Sequence, residues 1–146
     1  MGAGPGTKLI NILNGLSDCI GLLDTYSSIC LDILEPSQSW QNILIQNFKE
    51  TQLEHIIKNK YCLTWERFES TSGYDFMTFF HSIYWINASS LSKIPGFLKD
   101  DGCACIVVES PHSDMHRIKQ SLFPYIHHNE LVSSSKTIVS LLDQEK

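Results

Sequence analysis

Met1-Gly2-Ala3-Gly4-Pro5-Gly6-Thr7 opens the chain and runs straight into the apolar periodicity of Leu9, Ile10, Ile12, Leu13 and Leu16. Glycine at every second position lets the backbone bend sharply and approach a ligand with no Cβ in the way. The helix predicted behind this turn aims its free N–H groups, and the positive end of its dipole, at whatever is bound there. The stretch therefore reads as a cofactor loop of an α/β fold, with Gly2, Gly4 and Gly6 as its contact residues. In doubly wound sheets such a loop follows an apolar strand, and here only Met1 precedes it.

Working outward, Ile29-Cys30-Leu31-Asp32-Ile33-Leu34 is a short apolar run that stops at Glu35-Pro36-Ser37, which predicts a strand. Pro36 cannot continue a ladder, and Ser37 is suited to cap a helix with Trp40, Ile43, Leu44 and Phe48 as its apolar positions. Glu35 then stands at the carboxyl tip of a strand, about 30 residues past the glycine loop. A carboxylate there suits the two hydroxyls of an adenosine ribose, because both are donors and the carboxylate only accepts. Its bland role is a solvated acid at a strand end.

The helical pattern is predicted to continue over 51–60 with Leu53, Ile56 and Ile57 on one side, followed by a strand over 61–65 and a loop reaching Ser70. Tyr74-Asp75-Phe76-Met77-Thr78-Phe79-Phe80 shows almost no alternation, which predicts a central strand buried on both faces. His81-Ser82-Ile83-Tyr84-Trp85-Ile86 leaves its tip, where ligands gather in open α/β sheets. A short helix interrupted by Pro95-Gly96, a tight turn at Asp100-Asp101-Gly102 and a buried strand over 103–110 follow. Helices are predicted over 111–123 and 135–142.

A length of 146 residues fits one domain, 1–146, with room for a sizeable core. With 42% hydrophobic and 18% charged residues the composition is globular, and the apolar runs fall well short of the ~20 residues that a membrane span needs. No secretory signal is read at the start, so the expected location is cytoplasmic. The net charge of -5, with 11 Lys and Arg spread singly, argues against a nucleic-acid partner and fits a small neutral or cationic ligand. The five cysteines contain no Cys-x-x-Cys pair and read as buried free thiols. His112 and His116 share a helix face without a nearby third ligand, and His127-His128 reads as a loop pair, so no metal site is expected. Asn87-Ala88-Ser89 matches a glycosylation sequon, which has no meaning in a cytosolic chain.

The order of these pieces resembles the class I S-adenosylmethionine-dependent methyltransferases. More narrowly, Glu35-Pro36-Ser37, Trp65 followed by Ser70, and the run from Tyr74-Asp75-Phe76-Met77 through Ile83-Tyr84-Trp85-Ile86 are similar to the histamine N-methyltransferase family. The resemblance implies a three-layer α/β/α sandwich around a Rossmann-like methyltransferase sheet. It also implies a first strand before Gly2 and two strands after Leu142, so the chain reads as a partial methyltransferase domain truncated at both ends. S-adenosyl-L-methionine is the implied cofactor, held by Gly2, Glu35, Ser70 and Phe80, and a small amine such as histamine the implied substrate. His81, Tyr84 and Trp85 fall on substrate-facing positions, although His81 replaces a glutamine of the family. The family also uses a glutamine five residues past the ribose acid, a position that falls on Trp40, with Gln41 beside it. The complete protein would be a monomer. Methyl transfer in this family is a direct displacement that needs no metal and no side-chain nucleophile. The alternatives are a non-catalytic fragment or pseudo-enzyme of the family, and a nucleotide-binding oxidoreductase, since a glycine loop with a strand-end acid also serves dinucleotides.

Overall fold

The computed structural model describes residues 2–20, 28–70, 73–110, 112–114, 117–118, 121 and 138–139, without the side chains of 16–20. The chain is mixed α/β and divides into two compact units, Met1–Phe68 and Glu69–Lys146.

The first unit starts with the glycine turn, which feeds helix α1 (Thr7–Ile20), followed by strand β1 (Leu31–Leu34), helix α2 (Gln38–Glu50) and strand β2 (Ile57–Tyr61). β1 and β2 pair in parallel, Asp32 opposite Asn59 and Leu34 opposite Tyr61. Ile10 and Leu13 of α1 pack with Ile33 of β1, Leu44 and Phe48 of α2, and Leu53 and Ile56 beyond it. This is the helix-on-strand packing that a β1–α2–β2 crossover requires, since two parallel strands cannot be joined by a hairpin.

The helix predicted over 51–60 is corrected to a helix end, a 3₁₀ turn at Glu54–Ile56 and strand β2. The cause is a left-handed residue, Gln52, with φ 59°. Its N–H donates to Lys49 O at 3.0 Å while that of Leu53 donates to Phe48 O at 2.8 Å, the paired bonds of a Schellman C-cap. Such caps usually carry glycine, and glutamine here hides the stop. Beyond it, Lys58 and Lys60 point to solvent while Ile57, Asn59 and Tyr61 are half-buried, the period-two alternation of a strand.

Asp32 accepts a hydrogen bond from Asn59 Nδ2 at 2.8 Å on the face it shares with Tyr61. The Tyr61 phenol is pushed above its ordinary value, first by partial burial and then by the charge and hydrogen bond of Asp32. A raised phenol keeps its proton longer in the folded chain than in the unfolded one. Its contribution to stability is therefore complete below pH 10.0, the ordinary value, and is lost as pH rises through the raised value. Asp32→Asn is expected to lower the Tyr61 titration, read as phenolate absorbance against the wild-type curve.

The second unit contains strand β3 (Tyr74–Phe80), 3₁₀ turns at Ile83–Trp85 and Ala88–Ser90, helix α3 (Lys93–Phe97) and strand β4 (Leu98–Val107). β3 and β4 pair in parallel, from Phe76 opposite Cys103 to Phe80 opposite Val107. The tight turn predicted at Asp100-Asp101-Gly102 is absorbed into β4 as an irregularity, where the register shifts between Tyr74 and Phe76. Gly102 permits this, since a Cβ there would lie 2.6 Å from Tyr74 O. The expectation that β3 is buried on both faces is also corrected: Phe79 is buried, but Phe76 is 55% exposed and Asp75 pairs with Lys99 on the surface. The apolar run marks strand content, but among the described residues only β4 pairs with β3. Free thiols are likewise not buried, for Cys30, Cys62 and Cys103 are exposed and Cys105 half-buried. Cys19 and the residues between 122 and 137 that the sequence assigns to helices or loops lie outside the described side chains.

Candidate functional site

Gly2, Gly4 and Gly6 all take left-handed backbone, with φ of 60°, 51° and 75°. The turn they form is tied down at each step. Gly2 N–H donates to Leu34 O at the end of β1 at 2.8 Å, and Gly6 N–H donates to Ala3 O at 3.0 Å. Asn47 of α2 donates from Nδ2 to Pro5 O at 2.8 Å. Gly6 then accepts the first helical bond of α1 from Ile10 N–H at 3.0 Å.

Glu35 is the centre of this arrangement. It is 7% exposed, immediately after β1, and its backbone N–H extends the parallel ladder by donating to Tyr61 O at 3.0 Å. Its Oε2 accepts from Gly4 N–H at 2.9 Å and its Oε1 from Ser37 N–H at 3.0 Å. One carboxylate thus ties the glycine turn to the start of α2, where Ser37 is the N-cap and accepts from Trp40 N–H. Each carboxylate oxygen has two lone pairs, so two acceptor positions remain beyond these bonds.

Within α2 the structure separates two neighbours. Trp40 is 48% exposed, whereas Gln41 is 5% exposed. Gln41 Oε1 lies 3.4 Å from the Gln38 amide that donates to it, and its own Nε2 is buried with no hydrogen-bond partner. A buried amide donor without an acceptor is unusual and costs about 1–3 kcal/mol. The assignment of Trp40 as an apolar-face residue of α2 is therefore corrected. The signal was present in the sequence, since Gln41 shares the buried stripe of Leu44 and Phe48 at helical spacing.

In the second unit, Phe80 is half-buried at the end of β3, opposite Val107. His81 follows with φ 53°, and its N–H donates to Val107 O at 2.9 Å. The His81 and Tyr84 rings stack with centroids 6.4 Å apart, and the Tyr84 hydroxyl accepts from Glu109 N–H. Trp85 is 74% exposed. Ser70 is half-buried near the start of this unit. The glycine loop and Glu35 are thus brought together within the first unit, and Phe80, His81 and Tyr84 within the second. Ser82 and Glu109, which sequence reasoning passed over, stand with the latter group.

Among the described residues, no group of three or more His, Cys, Asp or Glu side chains is placed to hold a metal ion. His112 is exposed, and His116, His127 and His128 lie outside the described residues. No described helix is long and apolar enough to cross a membrane. No protein-family model and no curated protein matches the chain.

Proposed function

We propose that this chain is part of an S-adenosylmethionine-dependent methyltransferase domain that N-methylates a small amine such as histamine, within a Rossmann-like three-layer fold. One observation carries the reading: a turn of three left-handed glycines is hydrogen-bonded through Gly4 to a buried carboxylate at the carboxyl end of a parallel strand. An acid at the carboxyl end of a parallel strand, beside a glycine turn that leads into a helix, suits the adenosine end of a nucleoside-like cofactor.

The donor set fits such a group. Glu35 has acceptor positions left for a vicinal diol, and Gln41 has an amide donor with no partner inside the chain. Trp40 faces outward, so Gln41 supports the glutamine role that the resemblance implies. When bound, S-adenosylmethionine supplies an activated methyl group. The chain's own residues would then hold the cofactor, position the amine and exclude water, since placement alone contributes much of the barrier lowering in a direct displacement. Within the first unit Gly2, Gly4, Gly6, Glu35 and Gln41 are assigned to the cofactor; for the second unit the resemblance implies cofactor contact for Ser70 and Phe80 and amine contact for His81, Tyr84 and Trp85.

A second reading, a non-catalytic fragment, is favoured by Glu35 itself, because both carboxylate oxygens already serve the backbone. Isothermal titration separates the readings. Heat with S-adenosylmethionine and S-adenosylhomocysteine but none with NADH supports the methyltransferase. Heat with NADH alone points to a dinucleotide enzyme, and no heat with any of the three leaves the inert fragment.

A further inference from the structure

We draw no further inference here: the strongest candidate, the face of the β3–β4 pair on which the exposed Phe76 stands opposite Cys103 with Cys105 two residues on, carries nothing, because nothing in the structure shows what covers it.

Discussion

Glu35→Ala is expected to unlatch the glycine turn, lowering stability and abolishing binding of S-adenosylhomocysteine together. The carboxylate accepts from Gly4 N–H at 2.9 Å and Ser37 N–H at 3.0 Å, and both amides sit in part-buried surroundings. Removing the acceptor leaves two donors without partners, which together cost about 2–6 kcal/mol. That is a large part of the roughly 5–15 kcal/mol by which a typical domain is stable. Alanine also takes a negative charge from the start of α2, where the helix dipole favours one. Glu35→Gln separates the terms. Its amide oxygen serves one backbone N–H, but its NH₂ faces the other donor to donor, so about half the loss is expected. Urea unfolding measures both variants. An unchanged midpoint in Glu35→Ala would show that the carboxylate does not hold the turn.

Gly6→Ala is the second large effect, and its comparison with Gly4→Ala divides strain from crowding. Both glycines have left-handed backbone, which costs a residue with a Cβ about 1–2 kcal/mol. At Gly4 a Cβ would meet nothing within 4 Å, so that penalty is the whole of the expected loss. At Gly6 the same atom would lie 2.8 Å from Leu44 Cγ and 3.2 Å from Phe48 Cε2. Neither side chain is exposed at all, so neither can yield toward solvent, and overpacking adds about 1–3 kcal/mol. Gly6→Ala is therefore expected to lower the melting temperature clearly more than Gly4→Ala. Gly4→Ala in turn should keep the fold and weaken ligand binding, because its methyl enters the open space over the turn. Equal losses of stability in the two variants would contradict the packing of Gly6 against α2.

The features that decide this account were legible because each rests on a local rule. The glycine spacing, the Glu-Pro-Ser stop and the Ser37 cap each act within a few residues of the sequence, and the structure joins the first two through one hydrogen bond. What was not legible depended either on partners distant in sequence or on a residue type that hides its backbone conformation. The stop at Gln52 escaped notice because glutamine occupies a backbone conformation that glycine usually marks. Phe76 reads as core from its neighbours, but its exposure depends on what covers its face of β3. The Asp-Asp-Gly signal reads as a turn, yet those residues fall in an irregularity inside β4, between the pairs Tyr74–Leu98 and Phe76–Cys103. Gln41 was readable at helical spacing and was hidden by the greater apolarity of Trp40 beside it. Ser82 gives no signal at all in sequence, because an unpartnered hydroxyl exists only once the chain has folded around it.

The central claim is that the latched glycine turn receives an adenosine-bearing cofactor. Two-dimensional amide NMR of the labelled chain, recorded as S-adenosylhomocysteine is added, tests it at the atoms concerned. The account predicts saturable shifts of the Gly4 and Ser37 amides, whose acceptor Glu35 would be shared with the ligand, together with the side-chain amide of Gln41. Resonances of these three groups that stay in place through the titration would contradict it.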